Sequence, residues 1–478
     1  MLTTTVLASL GLQVGTVAAE TVLGAVVFTR HGDRKPPNSF HRPSLTSPGT
    51  TKHYGNQQLT SLGARQNFQI GSDYRARYID ANATHRIRGI SDAAYDPSQI
   101  YATAPNQPIL LSTATSFLQG LYPPLADVDP AIATSTLANG TDITAPLSGY
   151  QYVPLSSIPT NSPSTIWLKG DDLCPAYTTS SKSYASSPEY QTVLDSTRPF
   201  YQSLSSILAS FYPDSSSLSF QNAYDIFDLL NVARIHNAST SAVTDDTLYQ
   251  LRTLADTAEF NFNYNPSEPA RSIGGATLAG AVLNQLNKTV TSKGKLKFSL
   301  LAGSYDTFLA FFGLAGLIKE SEEFYGLPEY ASTMAWEVFS EGETEEFPEA
   351  GELKVRFLFR NGTEGALNTW SLFGRGREVL GWGEFVEGMR ERAVASVEEW
   401  CGICQSQVDF CGVYDVKGTE GRKGLSNVVA GVIGAVVTLG VMFLVTVGFL
   451  ILRKMSRKAA RPTQGGEEKF SLHSGSRV

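Results

Sequence analysis

Residues 22–124 and 266–362 share one rhythm, a short apolar run followed by a helical stretch, and residues 125–265 between them break it. Alternation of strand with helix restricts a chain to an α/β fold, and a long interruption splits that fold into two halves. In the first half "VLGAVVF" (22–28) reads as a buried strand. The stretch "LTSLGARQNFQIGSDYRARYI" (59–79) places Leu59, Leu62, Phe68, Tyr74 and Tyr78 near one face of a helix. "QIYAT" then predicts a strand, and "ILLSTATSFLQGLYPP" a helix stopped by paired prolines. In the second half "RSIGGATLAGAVLNQLN" predicts a helix, "KLKFSLLAGSYD" a strand with a polar end, "TFLAFFGLAGL" a helix and "KVRFLFRNG" a strand closed by a turn. Residues 125–265 are rich in Ser, Thr, Pro and Tyr, with helical stretches at 190–211 and 221–235, and recurrent Tyr, Phe and Leu argue against disorder. The expected architecture is an α/β core with a mainly parallel sheet flanked by helices, built from 20–124 and 266–411, with a mostly helical cap, 125–265, inserted between them.

The two ends lie outside that core. Residues 1–19 carry no charged side chain, and Val17, Ala18 and Ala19 supply small residues where signal peptidase cuts. They read as a cleaved secretory signal, and the lack of an amphipathic period argues against a buried first helix. Residues 428–452 are 25 consecutive uncharged residues, a helix of about 37 Å against a bilayer core of about 30 Å. Arg453, Lys454, Arg457, Lys458 and Arg461 follow at once, so the sequence predicts a single-pass type I membrane protein of the secretory pathway, its amino-terminal bulk lumenal or extracellular. Residues 412–427 form the linker and 453–478 a basic cytoplasmic tail suited to anionic lipid headgroups. Without that tail, residues 1–452 hold 31 basic against 43 acidic residues, a net of −12 that argues against nucleic acid as a partner.

Cys174, Cys401, Cys404 and Cys411 are the only cysteines and all fall on the expected lumenal side, where disulfides persist. Cys401 and Cys404 have the spacing of a zinc or redox pair, but no second ligand pair is near and the six histidines are scattered. Structural bridging in one of three connectivities is the expectation, with no metal and no cofactor. Sequons at Asn82, Asn139, Asn237, Asn287 and Asn361 fit a glycosylated ectodomain.

The chemistry concentrates where the first strand ends, in Arg30-His31-Gly32-Asp33-Arg34-Lys35-Pro36. Open α/β sheets bind ligands beyond the carboxyl ends of their strands. Two guanidiniums there offer forked donors to a phosphate, and Gly32 lets backbone approach closely. An imidazole among them can attack phosphorus in line, giving a phosphohistidine that water later hydrolyses, while the arginines stabilise the spread negative charge. Asp306, at the end of the strand in "AGSYDTF", supplies an acid for the leaving oxygen. The five fixed positions of R-H-G-x-R-x-P would arise by chance in a chain this long on the order of once in ten thousand, so the motif is accepted. "GRGRE" (374–378) does not sit between a strand and a helix as a phosphate-cradling loop must, and one spanning segment excludes a transporter.

At these residues the chain resembles the histidine acid phosphatases of the phosphoglycerate-mutase-like fold, which include prostatic and lysosomal-type acid phosphatases and phytases, in a membrane-anchored, fungal-type form. "LTSLGARQ", "FLQGLYPP", "GGATLAGAVLNQL", "LPEYASTMAWEVF" and "VRFLFRNG" look like family segments in family order, so the resemblance covers residues 22–411. It implies a phosphomonoester hydrolase with His31 as the phosphate-accepting histidine, Arg30 and Arg34 as phosphate-binding arginines and Asp306 as proton donor; it implies no oligomeric state. "DDLCP" (171–175) resembles the site of a family bridge to the carboxyl end, which implies pairing of Cys174 with Cys411 or Cys401.

Two departures stand out. Tyr305 occupies the family's histidine before the aspartate and can line the site without carrying positive charge. Ile109 aligns with a third phosphate-binding arginine, which neither Asn106 nor Gln107 replaces; Arg86, Arg88 and Arg271 are the candidates to fill that gap. Two losses of about 3 kcal/mol each would slow catalysis by roughly ten-thousandfold if independent. The sequence thus supports an acid phosphatase and, as the alternative, a catalytically impaired phosphatase-like surface glycoprotein.

Overall fold

The computed structural model describes residues 20–34, 58–209, 211–236, 243–342 and 346–414. The expected signal (1–19), Lys35 and Pro36 of the motif, the sequon at Asn237, the spanning segment 428–452 and the basic tail lie outside the described residues, as does most of the linker. Among the described residues no helix is long and apolar enough to cross a membrane.

Eight strands form the main sheet: β1 (Glu20–Arg30), β2 (Ile100–Pro105), β3 (Ser156–Ile158), β4 (Phe298–Gly303), β5 (Thr333–Glu341), β6 (Leu353–Arg360), β7 (Asn368–Trp370) and β8 (Val379–Gly381). Their order is β8-β6-β5-β1-β4-β2-β3, with β7 paired to β6 off that path. The sheet is mixed rather than mainly parallel. β1, β2, β3 and β4 pair parallel, whereas β5, β6, β7 and β8 pair antiparallel, β5 against β1. The first group is joined through helices that carry crossovers, while β5 turns straight back into β6, and a short return can only be antiparallel. β3 comes from the stretch read as a cap, so that stretch supplies a sheet edge as well as helices.

β1 is central, and its apolar run is buried on both faces, as a strand covered by helices on each side must be. Leu23, Val26 and Phe28 face one core with Leu278, Phe308 and Trp336. Val22, Ala25 and Val27 face the other with Tyr74, Phe117 and Phe298. The alternation changes phase at the irregularity between Val22 and Gly24, where β1 shifts register against β5.

Helix α1 (Ser61–Tyr78) packs on α2 (Pro108–Leu121) through a face that includes Tyr74 and Tyr78 of the apolar pattern but not Leu62 or Phe68. Leu62 and Phe68 are exposed, and the buried positions include Gly63, Asn67, Ile70, Tyr74 and Tyr78. Close approach decides the rotation: a Cβ on Gly32 would lie 2.4 Å from the Gly63 carbonyl oxygen, and one on Gly63 would lie 1.9 Å from that of Asp33. Bulky side chains cannot occupy that contact, so small residues turn inward.

β5 hides an acidic residue in mid-sheet. Glu337 is fully buried and accepts hydrogen bonds from Arg77 Nε at 2.7 Å, Tyr78 Oη at 2.6 Å and Arg356 Nε. Burial alone would raise its pKa, but the Arg77 and Arg356 charges prevail and hold the carboxyl below its usual range. A depressed carboxyl contributes stability above its unfolded value of 4.5 that is lost as pH falls through the folded value. Glu337→Ala takes the carboxylate from half-buried Arg77 and leaves buried Arg356 with Glu20, and is expected to cost about 3 kcal/mol, read as a lower midpoint in urea at pH 6.

The remaining helices used below are α3 (Pro175–Ala185), α4 (Ala223–His236), α5 (Asp245–Asn263), α6 (Ile273–Thr291), α7 (Tyr305–Leu314) and α8 (Val397–Cys404). The bridges are Cys174–Cys404 and Cys401–Cys411, which corrects the pairing implied by the resemblance. Cys404, fully buried at the end of α8, faces Cys174 at the start of α3 with 4.7 Å between Cα atoms, while Cys411 returns through a ten-residue step to Cys401. Of the described sequons, Asn82, Asn139 and Asn287 are exposed. Asn361 is half-buried, its side-chain oxygen accepting from Glu329 N at 2.8 Å and Ser332 Oγ at 3.1 Å.

Candidate active site

Parallel pairing of β1 with β4 sets Arg30 opposite Gly303, so His31 and the segment Ser304-Tyr305-Asp306 leave the sheet side by side. The predicted nucleophile and acid, on distant stretches of chain, come together through that register. β2 ends at the same edge, beside β4.

The turn holding His31 is clamped by α1. Gly32 N donates to Asn67 Oδ1 at 2.8 Å, and Asn67 Nδ2 donates back to the Arg30 carbonyl at 3.1 Å. Asp33 is buried, its N–H bonded to Gln66 Oε1 at 2.7 Å and its carboxylate held by the Thr60 hydroxyl and by His236 Nε2 at 2.8 Å. Thr60 also caps α1 through the Gly63 N–H. This position, variable in the motif, is therefore structural in this chain.

His31 is buried, with Nδ1 2.9 Å from the Gly32 carbonyl oxygen. A carbonyl only accepts, so Nδ1 carries the proton and Nε2 presents its lone pair. Burial lowers the His31 pKa well below 6.5, and the charges of Arg30 and Arg34 lower it further against smaller opposing effects from Gly32 and Asp306. Both the tautomer and the lowered pKa favour the neutral ring with its Nε2 lone pair available.

Arg30 is held between two aromatic faces, its guanidinium carbon 5.3 Å from the Tyr305 ring centroid and 5.0 Å from that of Tyr330, while Nη1 donates to the Pro328 carbonyl. Its buried Nε has no hydrogen-bond partner among the described residues. Tyr305 is fixed in turn by a 2.9 Å bond from its hydroxyl to Glu259 Oε2 and by stacking on Tyr224 at 4.8 Å. Where the family resemblance implies an imidazole, this chain has a platform that orients Arg30. Arg34 is buried and pairs through Nη2 with Asp228 Oδ2 of α4 at 2.5 Å.

Asp306 opens α7, is 2% exposed, and lies 3.7 Å through Oδ2 from Lys169 Nζ. Ile109 packs into the apolar cluster with Ala104, Leu110 and Ala302, so the expected guanidinium has no equivalent there. Arg86 binds Asp92 and the Ile79 and Ile90 carbonyls. The Arg88 N–H bonds to the Val22 carbonyl, at the far end of β1 from His31. Arg271 is committed to Ser180, Ser183, Asn261 and Glu268. The cation beside Asp306 is Lys169, which sequence reasoning passed over. A signal was available: Lys169 is the only basic residue between Arg88 and Lys182. Asn67 and Asp228 carried no comparable mark. Among the described residues no group of three or more His, Cys, Asp or Glu could hold a metal ion.

The chain is 24% identical over 338 residues to the lysosomal acid phosphatase of Xenopus laevis, covering 70% of this chain and 68% of that one. It is 25% identical over 355 residues to the prostatic acid phosphatase of Homo sapiens, covering 73% and 79% respectively. Among solved structures, the Citrobacter braakii phytase aligns with a TM-score of 0.52 at 11% identity over 80% of this chain and 99% of its own. The apo Hafnia alvei phytase gives 0.51 at 12% identity over 81% and 98%. At such identities the phytases share the fold alone. The sequence profile that describes the histidine phosphatase superfamily (branch 2) matches residues 21–360, from the second residue of β1 to the last of β6. A match that takes in most of the chain, and with it both His31 and Asp306, shows that the protein belongs to the histidine phosphatase superfamily, branch 2.

Proposed function

We propose that the protein is an acid phosphatase hydrolysing small phosphomonoesters through a phosphohistidine on His31, with Asp306 as proton donor. The observation that carries this reading is the buried imidazole, its Nδ1 occupied by the Gly32 carbonyl, flanked by Arg30 and Arg34 at the carboxyl end of β1. Nε2 attacks phosphorus as the ester P–O bond breaks, and the departing oxygen takes the proton of Asp306. Water then attacks the phosphohistidine, the Asp306 carboxylate accepts its proton, and inorganic phosphate leaves with His31 restored. Arg30 and Arg34 hold the equatorial oxygens throughout. No metal or cofactor enters this scheme. The expected signal at 1–19, the sequons and the two disulfides favour a lumenal or extracellular site anchored by residues 428–452.

The test is phosphate release from an aryl phosphate by the full-length protein across pH. Because the His31 pKa lies below 6.5, the ring loses its proton before that pH is reached, and the acidic limb of kcat/KM is expected below 6.5. Lys169 supplies positive charge at Asp306 in the absence of an arginine at position 109. Lys169→Met is expected to lower kcat/KM by about 10- to 100-fold and, because it breaks a buried ion pair, to lower the thermal midpoint as well, so the activity loss is read at a temperature where the variant is still folded.

A second reading, a phosphatase-like surface glycoprotein without turnover, is favoured by Tyr305, Ile109 and the pairing of Arg34 with Asp228. It predicts no phosphate release at any pH.

A further inference from the structure

Where β2 and β3 end the sheet, a pocket of about 450 Å³ lies between these strands and α6, within the range of about 300–1,000 Å³ common to small-molecule sites. Thr103 Oγ1 of β2 donates to the Ser156 carbonyl of β3 at 2.9 Å and ties the strand wall together. The facing wall is one side of α6, on which Ala281, Asn284, Gln285 and Lys288 recur at three- and four-residue spacing. The turn 162–168 adds Trp167 and further serine hydroxyls. His31, Arg30, Arg34, Lys169 and Asp306 take no part in the lining, so this space is separate from the phosphate site.

The lining is rich in hydroxyls and amides and holds no carboxylate. Its one cation is Lys288, whose Nζ stands 5.4 Å from the centre of the Tyr101 ring and which makes no ion pair among the described residues. A single lysine is too little charge to gather a polyanion and enough to repel a polycation. The independent sign of a ligand is Gln285. It is only 7% exposed, it belongs to the helix face that forms the wall, and its Oε1 has no hydrogen-bond partner among the described residues. A buried acceptor left unpaired costs about 1–3 kcal/mol, which a hydroxyl donated by a ligand recovers. Around it Ser156, Ser157 and Asn284 are exposed, and half-buried Trp167 offers an aromatic surface. Hydroxyls that both donate and accept, amides and an aromatic surface complement a pyranose, which carries hydroxyls at its rim and C–H groups on its faces.

We infer that this pocket binds a saccharide, one sugar hydroxyl donating to Gln285 Oε1 and a pyranose face lying against Trp167. The inference stands apart from the phosphatase reading. Two sources supply that chemistry: a free oligosaccharide, or a glycan carried by this chain at the Asn287 sequon, exposed on α6 beside Lys288.

The experiment is calorimetry of the full-length protein and its Asn287→Gln variant with chitobiose, α-1,2-mannobiose and lactose. At least one disaccharide is expected to bind Asn287→Gln. Adding Gln285→Leu, which keeps the bulk of the side chain, is expected to weaken that binding by about tenfold. The thermal midpoint without sugar is expected to hold or rise in the leucine variant, because the Oε1 it removes has no partner in the protein, so lost binding is not lost folding. Should that variant fail to fold, Asn284→Ala, at an exposed position, decides in its place through the same loss. Tighter binding by Asn287→Gln than by the glycosylated parent marks the chain's own glycan as the occupant, and equal binding marks a free saccharide. Binding of none of the three disaccharides, or binding that Gln285→Leu leaves unchanged, overturns the inference.

Discussion

His31→Ala is expected to abolish phosphate release, with a fall in kcat of at least about 10⁴-fold, and to leave no radioactivity from a labelled ester on the protein in an alkaline-stable form. The size follows from the role, because without Nε2 no group in the described site replaces the first bond to phosphorus. The variant is informative because it removes little else. The ring's one hydrogen bond runs to its own neighbour's carbonyl, and its ring contact is a tilted one to Tyr330 at 5.7 Å. The thermal midpoint is therefore expected to stay within a few degrees, and phosphate binding by Arg30 and Arg34 to persist. An alanine variant that still turns over, or a parent protein that never retains label during turnover, removes His31 from the mechanism.

Asp306→Asn is expected to lower kcat by about 10²- to 10⁴-fold, with a loss that depends on the leaving group. An alkyl alkoxide needs its proton as the P–O bond breaks, whereas a nitrophenolate leaves without one. The variant is therefore expected to lose more against an alkyl phosphate than against 4-nitrophenyl phosphate. Equal losses would mean that Asp306 acts by positioning Lys169, its partner at 3.7 Å, rather than by giving up a proton. Asparagine keeps the shape of a side chain that is 2% exposed at the first turn of α7, so a folding defect is not the expected source of the effect.

The elements nearest the chemistry were legible because their patterns are local. An apolar run ending in Arg30-His31-Gly32 is β1 and its turn, and "FSLLAG" before Tyr305 and Asp306 is β4. What escaped depends on residues far apart in the chain. β5 lies at the middle of the sheet, yet its nine residues include Glu337, whose charge reads as exposed until Arg77, Tyr78 and Arg356 are brought around it. The buried face of α1 was half read: Tyr74 and Tyr78 are buried, but a close glycine contact at the other end of the helix leaves Leu62 and Phe68 exposed. Three serine-rich residues make β3 only because β2 lies beside them. At the site, the motif marked His31, Arg30 and Arg34 as candidates, whereas Asn67, Lys169 and Asp228 reach it through contacts that no periodicity encodes. Disulfide pairing failed for the same reason: Cys401 and Cys404 share α8, and only the position of α3 decides which of them meets Cys174.

That bridge has a consequence for the protein's lifetime. Cys174 and Cys404 stand 230 positions apart. A protease that severs the backbone once between them yields two fragments that travel as one particle until a reductant is added. The fragment bearing His31 stays tethered to the fragment bearing Cys404, so a nicked molecule keeps the segments of His31 and Asp306 together.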